Sequence, residues 1–183
     1  MTNTFLLASD LDGTLIYTEK ALVLAYTKTF ENMNIKIDDL SFLKHGLAFN
    51  QICQKIGVNE TDKIIKLREL KDKFYFENLS LTKVNLPIFD LIQSVSRSGK
   101  IAIVTNARRI SAQTLLEWHN LTEYIDYLIT SDDVKNSKPD PEPYLELLRR
   151  SGFEANRVVA IEDSEIGKIS ALKANILTLL IIE

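Results

Sequence analysis

Residues 4–15 read T-F-L-L-A-S-D-L-D-G-T-L, an apolar run that leads directly into two carboxylates. The apolar half, T-F-L-L-A, predicts a buried strand. Asp10 and Asp12 follow it one residue apart, with Gly13 and Thr14 immediately behind them. In a parallel sheet the ligand site lies beyond the carboxyl ends of the strands. Polar residues that directly follow a predicted strand are therefore candidates for a ligand site.

From Pro87 onward the sequence alternates between helical patterns and short strands rich in Val, Ile and Leu. The predicted strands are I-A-I-V-T (101–105), Y-L-I-T (127–130), V-V-A-I (158–161) and I-L-T-L-L-I-I (176–182). Buried strands separated by helices indicate an α/β fold with a Rossmann-like parallel sheet that has helices on both faces. Asp140 and Ser164 are the predicted N-caps of the last two helices.

A different pattern occupies the seventy residues after Leu15. Helical spacing begins near Thr18, a predicted N-cap, and continues to about Asn78 without a plausible strand. We therefore predict an all-helical cap inserted after the first strand. The expected domains are a core of residues 1–15 and 84–183 and a cap of residues 16–83, joined by loops near Ile16–Glu19 and Leu81–Leu86.

Composition excludes several classes of function. The net charge of the 183 residues is −3, so nothing favours binding to nucleic acid or to an anionic membrane. The longest apolar run is too short to span a bilayer, and residues 1–15 lack the basic start of a signal peptide. Cys53, the single cysteine, fits a reducing compartment. We expect a cytoplasmic monomer.

The polar residues that follow the predicted strands form a coherent set: Asp10 and Asp12, Thr105 and Asn106, Lys138, and Glu162 and Asp163. Clustered carboxylates repel one another unless a hard cation neutralises them, and ligation by oxygen alone suits Mg²⁺. A lysine and a hydroxyl group beside a metal are suited to hold a phosphoryl group. One carboxylate can then attack phosphorus while a second transfers protons. No G-x-x-x-x-G-K-[ST] motif for a nucleotide phosphate loop is present.

These motifs resemble those of the haloacid dehalogenase superfamily, in particular the subgroup that contains phosphoglycolate phosphatase and β-phosphoglucomutase. The first family motif, D-x-D-G-T, corresponds to residues 10–14, and the family places a mobile helical cap between its first and second motifs. The remaining motifs correspond to Thr105, to Lys138 before P-D-P, and to the acidic pair Glu162-Asp163.

The resemblance implies a role for each residue of the core motifs. Asp10 would be the nucleophile, and Asp12 the general acid and base. Thr105 and the amide of Asn106 would hold the phosphoryl oxygens, and Lys138 would neutralise charge between Asp10 and the phosphate.

The resemblance to this superfamily also implies a metal site and a substrate-specificity loop. Mg²⁺ would be held by Asp10, the backbone carbonyl of Asp12, Glu162 and Asp163. The specificity loop is residues 44–47, and its Lys44 and His45 are the candidate contacts to the organic part of the substrate. Arg108, which follows Thr105 and Asn106, is a further candidate contact with the substrate.

The function expected from these features is a Mg²⁺-dependent phosphatase that acts on a small phosphorylated metabolite: a sugar phosphate, a phosphoglycolate-like acid or a nucleotide. Two alternatives stay open, a phosphosugar mutase and a regulatory protein that only binds phosphate. The mutase carries a histidine twelve residues after its nucleophile, whereas this chain has Leu22 there.

Overall fold

The computed structural model describes residues 5–37 and 39–181, without the side chains of Lys44 and His45. The described residues form a five-stranded parallel sheet in the order β5-β4-β1-β6-β7. Its strands are β1 (Leu6–Ser9), β4 (Lys100–Val104), β5 (Tyr127–Ile129), β6 (Val158–Glu162) and β7 (Leu177–Leu180). Each lies within one residue of a predicted strand or inside it, apart from the first, which begins two residues later.

The register of the central strand brings the ends of three strands together. Ser9, the last residue of β1, is paired with Ile103 on one side and with Ile161 on the other. The residues that follow these positions therefore leave the sheet at the same edge. Asp10 continues the ladder, because its N–H donates to the carbonyl of Ile161 at 2.9 Å.

Helices cover both faces of the sheet, as the sequence predicts. The core helices are α4 (Leu86–Ser96), α5 (Arg109–Trp118), α6 (Glu142–Ser151) and α7 (Glu165–Lys173). Side chains of α4 and α5 pack with Leu7, Ile101 and Ile103 on one face, whereas Tyr144 and Ala171 of α6 and α7 pack on the other. No helix in the described part of the chain is long and apolar enough to cross a membrane.

The inserted segment contains α1 (Glu19–Asn32), α2 (Phe49–Lys55) and α3 (Thr61–Phe76). It has a hydrophobic cluster of its own, built on Tyr26, Phe30, Ile52 and Leu67. Separate apolar packing of this kind is what a cap needs to hold its shape apart from the sheet.

The two crossings between core and cap differ from the prediction. The expected loops contain short strands, β2 (Ile16–Tyr17) and β3 (Lys83–Val84), which pair antiparallel with each other. The prediction of a segment without strands is therefore wrong at its two ends. Two-residue strands are too short to show an alternating pattern, and their pairing joins residues more than sixty positions apart.

Candidate active site

Lys138 lies at the centre of the polar residues at the carboxyl edge of the sheet. Its Nζ donates to Asp10 Oδ1 at 2.8 Å, to Glu162 Oε1 at 2.7 Å and to the carbonyl of Val104 at 2.6 Å. The side chain is only 2% exposed. An ammonium group has three protons to donate, so three acceptors satisfy it. Burial of this charge is tolerated because two carboxylates and a carbonyl surround it.

Three acidic side chains form a candidate metal centre. One carboxylate oxygen from each of Asp10, Glu162 and Asp163 lies within 4.8 Å of the others. Thr14 Oγ1 donates to Asp163 Oδ1 at 3.1 Å. Gly13, at φ +89°, lies so close to the Asp163 carboxylate that any Cβ at this position would collide with it. The donors are all hard oxygens, which fits Mg²⁺.

Asp12 lies beside this cluster, since its carboxylate is not one of the three that converge. The predicted contact of Asp12 with a metal is through its backbone carbonyl, which does not require its carboxylate to join the cluster. The Thr18 side chain is hydrogen-bonded to the Asp12 carboxylate. Thr18 occupies the N-cap position of α1, as predicted, but its side chain makes no cap hydrogen bond there. By contrast, Ser164 Oγ accepts the N–H of Gly167 at 3.2 Å and caps α7, as predicted.

The acidic groups hold their protons more tightly than free carboxylic acids do. Burial raises the pKa of Asp12 to about 6, and the negative charge of Asp10 adds to that rise. The same two causes raise the pKa of Asp163 to about 6. Burial raises the pKa of Glu162 to about 7, although Lys138 opposes the rise. Burial also raises the pKa of Asp10, again against Lys138. The site therefore has more negative charge than its one lysine offsets, which is what a cation would relieve.

Thr105 and Asn106 follow β4 and face the same space. Thr105 is buried, and its Oγ1 accepts the N–H of Ala107 at 3.0 Å. The Asn106 side chain joins core and cap. Its Oδ1 accepts the N–H of Lys138 at 2.9 Å, and its Nδ2 donates to the carbonyl of Gly46 in the cap, also at 2.9 Å.

A cavity of about 830 Å³ lies between the core and the cap. Its core wall contains the predicted residues Asp10, Asp12, Thr105, Asn106, Arg108, Lys138 and Asp163. Glu162 is completely buried behind Lys138 and is not part of the wall. Gly46 and Leu47 of the predicted specificity loop reach the cavity, whereas the side chains of Lys44 and His45 lie outside the described part of the structure.

The two consecutive arginines after β4 have different surroundings. Arg109 is held by Asp133, with Nη2 to carboxylate distances of 2.6 and 2.7 Å. Arg108 lines the cavity, and its Nη1 lies 3.4 Å from Asp72 Oδ2 in the cap. Arg108 is thus the arginine in a position to meet a ligand.

Sequence reasoning missed several side chains that surround the site. Arg68, Lys71 and Tyr75 of α3 line the cavity, and Ser111 of α5 lies opposite the cap. The spacing of 68, 71 and 75 puts polar residues on one face of a helix, and this was the available signal. The contact of Tyr144 with the site could not be predicted from the sequence, because its hydroxyl donates to Glu162, which lies in a different element.

The sequence of this chain is similar to those of known proteins. Residues 8–181 match the family model described as haloacid dehalogenase-like hydrolase. Pyrophosphatase PpaX from Bacillus cereus (strain B4264) is 32% identical over 155 residues, which cover 80% of this chain and 69% of that protein. A phosphorylated carbohydrates phosphatase from Thermotoga maritima is 30% identical over 175 residues, which cover 91% of this chain and 80% of the relative.

A solved structure also has this fold. The crystal structure of CbbY from Rhodobacter sphaeroides in complex with phosphate has a TM-score of 0.86 at 22% identity. The superposition covers 98% of this chain and 87% of that one. At this identity the likeness establishes the fold alone, and it confirms a parallel sheet with a helical cap after the first strand.

Proposed function

The chain belongs to the haloacid dehalogenase-like hydrolases and is a phosphoric monoester hydrolase; on that premise we propose a Mg²⁺-dependent phosphatase that acts through an aspartyl-phosphate. The observation that carries this proposal is the contact of Lys138 with Asp10 and Glu162 inside an acidic cluster that opens on the cavity. A buried cation beside a carboxylate nucleophile suits an incoming phosphoryl group, whose negative charge would otherwise repel that nucleophile.

In the first step, a carboxylate oxygen of Asp10 forms a bond to phosphorus as the bond to the leaving oxygen breaks. Asp12 gives its proton to that oxygen, and the product alcohol departs. The raised pKa of Asp12, about 6, supports this role, because a proton is held close to neutral pH. In the second step, water attacks the phosphorus of the aspartyl-phosphate, Asp12 takes a proton from the water, and Asp10 is released with phosphate.

The other core residues hold the phosphoryl group during both steps. We assign the contacts with its oxygens to Thr105, to the backbone amide of Asn106 and to Lys138. We assign the metal to Asp10, Asp163, Glu162 and the carbonyl of Asp12, where a bound Mg²⁺ supplies positive charge that offsets the charge of the phosphoryl oxygens.

We propose that residues 16–83 act as a lid. The chain crosses between core and cap twice, at β2 and β3, so a small change in this ribbon suffices to open the cavity. Closure excludes water during the first step, and opening admits it for the second. Gly46 and Leu47 line the cavity. We propose that Lys44 and His45, which precede them in the same loop, contact the organic part of the substrate.

The names of the relatives support small phosphorylated substrates, and the mutase stays the alternative. Leu22 lines the cavity at the position where the mutase has its histidine, and an aliphatic side chain cannot move a proton between two hydroxyls of a sugar. We further propose that the enzyme is a monomer in the cytoplasm, where a protein with one buried cysteine stays reduced.

The test removes the proposed nucleophile by mutation and, separately, removes the metal with a chelator. Asp10→Asn keeps the shape of the side chain and removes the attacking anion, so release of phosphate from a panel of sugar phosphates, phosphoglycolate and nucleotides should fall by about 10³-fold or more. EDTA should abolish wild-type activity, and Mg²⁺ should restore it. The exposed Asp90→Asn is the matched control and should keep full activity.

Acid quenching during turnover of a substrate labelled in its phosphate should leave label on the wild-type chain and none on Asp10→Asn. Retained activity in Asp10→Asn, or full activity without a metal, would overturn the proposal. A sugar phosphate isomer formed without free phosphate would instead identify the mutase.

A further inference from the structure

Two buried hydroxyl groups on the cavity wall have no hydrogen-bond partner among the described residues. Tyr75 is 2% exposed, Ser111 is 6% exposed, and both Tyr75 Oη and Ser111 Oγ are unpaired. Both residues line the cavity, Tyr75 from α3 of the cap and Ser111 from α5 of the core. Buried hydroxyls in folded proteins are nearly always paired, so two unpaired ones in residues that line one cavity point to a ligand that pairs them.

Tyr75 lies on the leaving-group side of the site. Its ring packs in the apolar cluster that also contains Leu11 and Leu15 of the first motif region. Burial holds the pKa of Tyr75 well above its usual value, and the nearby charge of Asp12 raises it further. The phenol is therefore neutral and able to donate at neutral pH. Because Asp12 is the proposed proton donor to the leaving oxygen, a group near Asp12 is near the leaving alcohol.

Two of the cations on this wall share one acid. Lys71 Nζ lies 2.6 Å from Asp72 Oδ1, and Arg108 Nη1 lies 3.4 Å from Asp72 Oδ2. Arg68 stacks on the Phe49 ring, with its guanidinium carbon 4.5 Å from the ring centroid. A second phosphate bound by Lys71 and Arg108 would need to displace Asp72 from both of them, whereas neutral hydroxyls would not.

We propose that Tyr75 and Ser111 bind hydroxyl groups of the leaving alcohol, and that the substrate is a monophosphate ester of a polyhydroxylated alcohol, such as a sugar phosphate, in preference to pyrophosphate. This inference rests on the proposed phosphatase function. It assigns a specificity role to two neutral side chains and not to the specificity loop alone.

The experiment compares kcat/KM for a hexose phosphate, for pyrophosphate and for phenyl phosphate, whose leaving group has no further hydroxyl. Wild type should prefer the hexose phosphate to pyrophosphate. Tyr75→Phe and Ser111→Ala should each lower kcat/KM for the hexose phosphate by about tenfold, the usual effect of one lost hydrogen bond, and leave phenyl phosphate nearly unchanged. Tyr124→Phe, whose hydroxyl accepts from Gln93 away from the cavity, is the matched control.

Asp72→Asn adds an independent measurement, because it leaves Lys71 and Arg108 without their shared acid. Its activity on pyrophosphate should rise several-fold relative to the hexose phosphate. Equal losses on all three substrates in both hydroxyl variants, or a wild-type preference for pyrophosphate, would overturn the inference while leaving the phosphatase in place. Absence of hydrolysis of any substrate would instead overturn the proposed function.

Discussion

Lys138 is a buried cation that contacts both Asp10, the proposed nucleophile, and Glu162 of the acidic pair. Its Nζ lies 2.8 Å from Asp10 and 2.7 Å from Glu162, and both carboxylates are themselves buried. The carboxylates raise the pKa of Lys138 above its ordinary value, against the effect of burial. The lysine thus keeps its charge at neutral pH, and we expect it to serve stability as well as the proposed binding of phosphate.

Replacement of this residue tests both roles. Lys138→Met leaves two buried carboxylates facing each other, and breaking a buried pair costs about 3 kcal/mol, so the free energy of unfolding at pH 8 should fall by about that amount. Turnover should be lost as well. Urea denaturation measures the first effect and phosphate release the second. Lys100→Met, which removes an exposed lysine paired with Asp126, is the control and should barely change either quantity. Unchanged stability in Lys138→Met would contradict the buried-pair argument.

At the level of elements, cap and core meet where the loop before α2 touches the core. The carbonyl of Gly46 accepts from Asn106 Nδ2, and a Cβ on Gly46 would lie 3.2 Å from Ser164 Oγ. Gly46 also has a positive φ of 65°. The backbone of the cap therefore approaches the core so closely that a Cβ at this position would be in tight contact with Ser164.

Gly46→Ala should hinder closure of the cap. The positive φ costs about 1 kcal/mol of stability for alanine, and the contact with Ser164 should additionally raise KM by several-fold. Gly57→Ala separates the two effects, because Gly57 has a similar φ of 72° and open space around its Cβ position. Gly57→Ala should lose comparable stability in urea denaturation and keep the KM of the wild type. An equal KM in both variants would exclude this contact from closure.

Across the whole molecule, the acidic site makes stability depend on pH in an unusual direction. Asp12 and Asp163 have pKa values near 6 in the folded protein, against about 4 in an unfolded chain. The folded state therefore binds more protons between these values, and stability falls as the pH rises through that window. Glu146, whose pKa its hydrogen bond with Arg149 lowers to about 2, loses stabilising charge only at more acidic pH. Burial of His119, which lowers its pKa, opposes the trend below about pH 6.5.

We expect metal-free protein to melt about 5 °C lower at pH 8 than at pH 5, and Mg²⁺ to raise the melting temperature more at pH 8. Calorimetry in EDTA and in Mg²⁺ at both pH values measures this difference. Asp163→Asn removes one of the two charges and should flatten the dependence. A metal-free protein that is more stable at pH 8 would contradict the charge balance inferred for the site.

The five strands of the main sheet, the helices and the polar residues that follow those strands can be predicted from the sequence, since apolar periodicity and the residues just past a strand are local features. Asp10, Thr105, Lys138 and Asp163 were therefore named from the sequence, and the parallel order of the strands brings them to one edge. The cap was equally clear as a run of helical patterns, because its helices bury a face of their own.

Contacts between distant residues could be seen only in the folded chain. The Thr14 hydroxyl meets Asp163 across 149 positions, and β2 pairs with β3. Tyr75 and Ser111 read as ordinary helix residues until α3 and α5 enclose one cavity and leave both hydroxyls unpaired. Local sequence determines which residues end a strand or face a core, whereas the closing of cap on core determines which of them meet, because that distance depends on packing between elements that no local pattern records.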